Sequence, residues 1–343
     1  MFQFARTVDI RNHHHMRILF GIMSAVQPAA TVASLVDAIG AHHPILIHHD
    51  WSQQPGFTLS RPNVSYVEEP RRTGWANWGF SQGILRLVEA AVRNGGFDYF
   101  QLLSPTCLPV RPIEEFARHL AACKADFLID AVRLDSDPNV LMSHGWRAYA
   151  PADSLQQRLL RRARQWYFGN DCLVASRSGL AFPTTSMTGA GGAPGLRAQA
   201  AYRLTVRARE GRGFSHPFSD DFPCFAGSTW FTASRAGCEH LLVRARDEAL
   251  TGAFSRMHMG DEMFFPSVFR NSGLPCAPAV HYIARFEDAR PAWFELQDIE
   301  EIRRSGAFFA RKFPEDPDNP VRLAARALGT SRSEAHRAAP QYG

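Results

Sequence analysis

The sequence predicts an α/β protein: a mostly parallel central sheet flanked by helices, in a single large domain. Short apolar runs alternate with longer segments whose apolar residues recur at helical spacing. The runs are continuous rather than alternating, as a sheet covered on both faces requires. Several end in polar residues, Asp50, Ser104 and Asp130. That is the edge at which such sheets bind ligands, although an acid there equally suits the cap of a following helix.

In chain order, residues 17–22 are a first buried strand. Residues 31–39 are a helix with Val32, Leu35, Val36 and Ile39 on one face. The apolar run near Met16 is too short to span a bilayer. It has the length of a signal-peptide core, but the βαβ spacing that follows favours a strand. Residues 1–15, with His13-His14-His15, read as an N-terminal extension. Strands are expected at 44–50, 64–67 and 98–104, with a helix at 80–92 that turns Ile84, Leu85, Leu87, Val88 and Val92 inward. A proline-punctuated turn at 105–112 leads to a helix at 113–123 and a strand at 127–130.

Residues 131–222 read as a variable insert. Within it, 155–168 is a basic amphipathic helix, Arg158, Arg161, Arg162 and Arg164 with Leu159, Leu160, Trp166 and Tyr167. Such a helix suits peripheral contact with an anionic membrane, or a solvated face whose apolar side packs on the protein. Residues 186–194 form a Gly-rich loop without a phosphate-cradle pattern. Beyond the insert the pattern gives a strand at 228–234, helices at 235–249 and 261–271, and a strand at 280–286. A helix at 298–305, a short strand at 308–310 and a closing helix at 319–328 follow. The layout is an extension (1–15), a main domain (16–318) and a C-terminal helix and tail (319–343).

The chain has 343 residues, 45% hydrophobic and 21% charged, a composition that buries a sizeable core. The net charge of +5, mostly arginine, suits an anionic ligand or surface. No basic stripe with interleaved aromatics marks a nucleic-acid site. Six cysteines, at 107, 123, 172, 224, 238 and 276, form no C-x-x-C pair. Zinc ribbons and redox dithiols are therefore not indicated, and the thiols read as buried in a reducing, cytoplasmic compartment.

Two stretches and a cation pair carry chemistry: Gly227-Ser228-Thr229-Trp230, then Gly260-Asp261-Glu262-Met263-Phe264-Phe265, then Ala310-Arg311-Lys312-Phe313. An aromatic can floor a sugar, an acid at a helix start can accept a hydroxyl proton, and adjacent cations can meet a leaving diphosphate. Each has a plainer reading beside it. Asp261 and Glu262 suit the first turn of any helix, Trp230 suits a core, and Arg311-Lys312 suits a basic surface. Asp135-Ser136-Asp137 has the form of a metal-binding Asp-x-Asp, but Pro138 after it favours a surface turn. His48 and His49 lack further metal ligands that the sequence would name.

These segments together resemble the family of core-2/I-branching N-acetylglucosaminyltransferases and peptide O-xylosyltransferases. Ile47-His48-His49-Asp50 is similar to its I-H-x-D strand end, and Trp78-Gly79-Phe80-Ser81 to its W-G-G-x-S. Residues 98–109 resemble D-[WY]-x-x-x-L-S-x-x-D-x-P, 227–235 resemble G-S-x-W-x-x-L-[ST]-R, and 260–272 resemble P-[DA]-E-x-[FY]-[FW]-x-T-[VL]-x-N-S. Ala310-Arg311-Lys312-Phe313 matches the A-R-K-F of the xylosyltransferase branch. Cys107 stands where the family usually has an acid, and Thr229 where xylosyltransferases tend to have one.

The resemblance implies a GT-A-like fold, a UDP-sugar donor (N-acetylglucosamine or xylose), a glycan or protein hydroxyl acceptor, inversion at the anomeric carbon, and no metal or other cofactor. It implies Glu262 as catalytic base, Arg311 and Lys312 on the diphosphate, and Asp50, Ala76 and Trp78 at the uridine. Trp230, with Thr229 and Asp261 beside it, would border sugar and acceptor. The Cys107 departure, and Phe80 in place of the second glycine of W-G-G-x-S with the spacing one residue shorter, leave open a degenerate relative that binds a sugar nucleotide or glycan without turnover.

Overall fold

Alternation along the first strand sets the two layers of the fold. In the computed structural model, which describes residues 16–168, 173–175, 181–183, 195–282, 286–287 and 290–330, β1 (Ile18–Ser24) is buried throughout. Leu19 and Met23 enter one core, and Ile18, Phe20 and Ile22 enter the other. The chain continues through α1 (Ala29–Ile39), β2 (Ile45–His49), β3 (Val64–Tyr66), α2 (Trp78–Asn94), β4 (Tyr99–Leu103) and β5 (Leu108–Pro109). Next come α3 (Ile113–Cys123), β6 (Phe127–Leu128), β7 (Ala131–Arg133), α4 (Pro138–Ala148), α5 (Leu155–Phe168), β8 (Leu173–Ala175), β9 (Ala181–Pro183) and α6 (Leu196–Arg209). The remainder is β10 (Phe225–Gly227), β11 (Thr232–Ser234), α7 (Arg235–Ala245), α8 (Glu248–Phe254), α9 (Asp261–Arg270) and β12 (Cys276–Ala277). It closes with β13 (His281–Tyr282), β14 (Phe286–Glu287), β15 (Arg290–Pro291), α10 (Ile299–Arg304), β16 (Phe309–Ala310) and α11 (Pro320–Gly329).

The main sheet has seven strands in the order β12-β6-β11-β4-β1-β2-β3. Only β11 runs antiparallel to its neighbours there. One face is covered with residues of α2, α7 and α9, the other with residues of α1, α3 and α11. This is a helix-flanked, mostly parallel α/β sheet of Rossmann-like character. The strand order reverses between β1 and β4, so a crevice opens beyond their carboxyl ends. A second sheet, β13-β16-β5, carries the chain into the Arg311-Lys312 segment.

Of the expected 228–234 strand only 232–234 form one, β11; the preceding strand, β10, ends at Gly227 and a crossing joins the two. β10 pairs with β7, β11 pairs with β4 and β6, and Trp230 lies between them rather than on a strand. The break follows from a close approach: a Cβ on Gly227 would lie 1.9 Å from the Asp130 carbonyl oxygen. The Ser228 amide donates to that carbonyl (3.2 Å), and the Trp230 amide donates back to Ser228 Oγ (3.2 Å), which turns the chain. The expected 235–249 helix breaks where Asp247 accepts from the Leu250 amide and caps α8. The turn at 105–112 contains β5.

The 131–222 insert is more regular than its sequence suggests. Asp137 caps α4 through the Asn139 amide (2.7 Å) with Pro138 at the first helical position, so the expected surface turn is a helix start. Helix α6 was likewise not expected. The 280–286 strand is represented by β13 and the start of β14. The N-terminal extension (1–15), the Gly-rich loop (186–194) and the tail beyond 330 lie outside the described residues.

Candidate functional site

The acid pair divides its work at the start of α9. Gly260 brings this turn against α8: a Cβ there would lie 2.5 Å from the Phe254 carbonyl oxygen. Asp261 is buried and accepts a 2.6 Å hydrogen bond from Thr229 Oγ1. Burial, and then the neighbouring Glu262 charge, raise its carboxyl to about 6. Glu262, its side chain 27% exposed, pairs with Arg147 Nη1 at 2.7 Å. Arg147 sits in the last turn of α4 with a side chain only 10% exposed, and also reaches Met259 Sδ at 3.4 Å.

The cations arrive from the other sheet. The Arg311 guanidinium lies over the Trp230 ring, 4.7 Å from its centroid, and Phe80 meets the same ring edge-on at 6.2 Å. Burial lowers the Arg311 pKa, opposed by the Glu262 charge, and arginine stays charged through such shifts. Its buried Nε has no hydrogen-bond partner among the described residues. Lys312 Nζ lies 3.9 Å from the Trp293 centroid. The segment is pinned at both ends: the Phe313 amide donates to Thr106 (3.0 Å) and the Phe294 amide to Lys312 (2.8 Å). His281 lies buried beside Arg311, held down to about 3 by burial and then by that cation, so it is neutral.

Asp50 is placed at the opposite end of the rim. It accepts from the Ser52 amide and hydroxyl, from Gln53 Nε2, and from the Thr73 amide and hydroxyl. Burial alone would raise its carboxyl, but the bonds from Gln53, Ser52 and Thr73 outweigh it and hold the group far below the carboxylate range. The loop after Thr73 runs from Asp50 to the acid pair. Ala76, at φ 60°, accepts from the Met259 amide (3.2 Å), and Trp78 packs edge-on against Phe264 at 5.1 Å. Between the two ends, Ser24, Ser104 and Thr106 line the carboxyl ends of β1 and β4. His49 Nε2 faces the Gln54 carbonyl, so it donates there, and its Nδ1 accepts from Ser24 Oγ at 3.1 Å.

Thr229, Trp230, Asp261, Glu262 and Arg311 thus converge, Lys312 follows on the same segment, and Asp50 holds Thr73 of the segment that carries Ala76 and leads into Trp78 at the start of α2. Sequence reasoning did not find Arg147 or Arg322. Arg147 was findable in part: Asp137-Pro138 followed by apolar Val140, Leu141 and Met142 announces α4. Its pairing with Glu262, far along the chain, was not. Asp135 and Asp137 are apart in role as well: Asp135 binds Arg133 and Arg209 (3.0 Å), while Asp137 caps α4. Among the described residues no group of three or more His, Cys, Asp or Glu stands at metal-binding spacing.

Comparison with known proteins finds no family model and no curated protein that matches the chain. Among the described residues no helix is long and apolar enough to cross a membrane.

Proposed function

We propose that this chain is an inverting, metal-independent glycosyltransferase with a GT-A-like fold, which passes a sugar from a UDP-sugar to a glycan or protein hydroxyl. The observation that carries the reading is the convergence of Glu262, Trp230 and Arg311 beyond the sheet edge, from segments far apart in sequence. In this reading the Glu262 carboxylate takes the proton of the acceptor hydroxyl. The acceptor oxygen attacks the anomeric carbon on the face opposite the diphosphate. The bond from that carbon to the diphosphate oxygen breaks, and the electron pair leaves with UDP. Arg311 and Lys312 meet the departing charge, a fork and a point charge respectively. Asp50 holds the 73–78 loop, so that Ala76 and Trp78 wall the uridine. Trp230, buried with Arg311 over its ring, borders the sugar and acceptor, with Thr229 and Asp261 beside it. The family resemblance supports N-acetylglucosamine or xylose as the sugar.

Calorimetric titration of UDP with EDTA present tests the donor site. Binding should occur, and Arg311→Ala/Lys312→Ala should lower affinity by at least roughly a hundredfold, the scale of two charge-assisted contacts. Equal affinity in the double variant would remove the cation pair from the diphosphate, and no binding at all would remove the nucleotide. A second reading, binding without turnover, is favoured by Cys107. A buried thiol stands there, near enough to Arg311 for a charge to be felt, where the resembled family has an acid. UDP binding without transfer or donor hydrolysis across a donor panel would select it.

A further inference from the structure

Beside the acid pair, from Trp75 on the loop that Asp50 holds at Thr73, the chain sets aromatic side chains among arginines. Trp75 is 74% exposed at the rim and meets His258 edge-on at 6.1 Å. His258 stacks obliquely on Trp146 at 5.6 Å, and the Arg161 guanidinium lies over the far side of the cluster, 5.2 Å from the Trp146 centroid. Arg147 and Arg161 both bear on His258 and both lower its pKa, after burial, while Asp153 and Glu262 act the other way. The same two arginines bear on Arg164, whose buried Nε has no hydrogen-bond partner among the described residues. Among the described residues these three arginines share two nearby carboxylates, Glu262, which pairs with Arg147, and Asp153, which bears on His258.

Mutual repulsion of three guanidiniums is costly unless something anionic joins them. Their neighbours say what kind of anion. The exposed Trp75 indole can pack on the apolar face of a sugar ring, with the partly buried Trp146 behind it, and arginine forks match carboxylate or phosphate oxygens. The strip starts at Glu262, where the acceptor hydroxyl would lie, and leads outward along Trp75, His258, Trp146 and Arg161.

We propose that this strip is an acceptor subsite for an anionic glycan, a sugar chain that carries carboxylate or phosphate groups within a few residues of the hydroxyl to be modified. The proposal rests on the transferase reading and names its acceptor class. It also assigns the basic face of α5 to substrate, in place of a membrane.

The test is binding of oligosaccharides of matched length to the full chain: an oligouronate, a phosphorylated oligosaccharide, and a neutral counterpart. Phosphatidylcholine vesicles with and without phosphatidylglycerol form a fourth arm. The anionic chains should bind at least about tenfold more tightly than the neutral one, with affinity falling as salt rises. Arg161→Ala, an exposed change, should remove about tenfold of the anionic preference, the scale of one charge-assisted contact. Trp75→Ala should weaken all the oligosaccharides alike. Preference for the uronate or for the phosphate supports the proposal and names the anion. Equal binding of charged and neutral chains, wild-type behaviour of Arg161→Ala, or capture by anionic vesicles without glycan binding would overturn it. Parallel UDP titration separates the two readings: UDP bound without anionic preference removes this proposal alone, and anionic glycan bound without UDP removes the transferase.

Discussion

Asp261 and Glu262 are neighbours in sequence and opposites in environment. Asp261 faces inward onto Thr229, and burial with the Glu262 charge raises it to about 6 from 3.8. A carboxyl raised in the fold opposes folding once ionised. The penalty is absent below about 3.8, grows as pH rises toward 6, and is complete above it, on the order of 3 kcal/mol. Denaturant titrations of wild type and Asp261→Asn at pH 4 and pH 7 isolate this term, because Asp130, raised to about 7 by burial, titrates in both proteins. Wild type should lose more stability than the variant between the two pH values; parallel losses would show that Asp261 is not the titrating group. At Glu262 the expectation concerns rate. Glu262→Gln should lower transfer by roughly 10²–10⁴ while UDP affinity holds, and undiminished turnover would take the proton elsewhere. The acid pair was legible because a helix start advertises its acids. The Arg147 side of the site was not, since one ion pair between distant segments leaves no local pattern. Cys107 was legible only as a departure. The fold adds that it is buried near both Arg311 and Arg322, so an acid there would meet two cations that the thiol does not.

Helix α4 shows why local rules succeeded in parts of this chain and failed in others. The buried strands β1, β2 and β4 and the helices α2, α3 and α9 declare themselves by period, and each lies where the pattern predicts. In the insert the polar run around Asp135 hid a cap, and the turn-forming pair Asp137-Pro138 opens a helix instead of closing a loop. The 228–234 run failed for another reason: its strand pattern continues through a crossing that only the contact between Gly227 and Asp130 imposes. If Asp137 is a cap, Asp137→Ala should cost about 1 kcal/mol of stability. It should also lower turnover modestly, because α4 delivers Arg147 to Glu262. The Asp-x-Asp alternative predicts something different: large losses of turnover in both Asp135→Ala and Asp137→Ala, with reversal by excess divalent metal. Thermal denaturation beside initial rates, with and without added manganese, separates the two.

At the scale of the molecule the segments around the proposed site are tied together by a residue that touches no proposed substrate. Arg322, on α11, is completely buried, and four of its hydrogen bonds reach across the fold. They go to Ser34 Oγ (3.0 Å) and Thr31 O (3.1 Å) of α1, to Pro105 O (3.2 Å) beyond β4, and to Pro314 O (3.1 Å) behind Lys312. Burial lowers its pKa to about 10, so it remains charged at neutral pH. The crevice beyond β1 and β4 is bounded by the 105–107 turn and by the 311–313 segment, and Phe313 joins those two through Thr106. Arg322 ties the outer end of each to α1. Arg322→Met keeps most of the volume and removes every donor, leaving buried carbonyls unpaired at roughly 1–3 kcal/mol each. Stability should therefore fall by several kcal/mol. UDP affinity should fall with it, even at temperatures where the variant is folded, because both segments that border the proposed diphosphate site are released. Arg322→Lys supplies donors without the planar fork and should recover part of both losses. If folded Arg322→Met binds UDP as wild type does, the walls are held by their own contacts and Arg322 serves stability alone. If affinity and stability fall and recover together, the closing helix is part of what shapes the donor site.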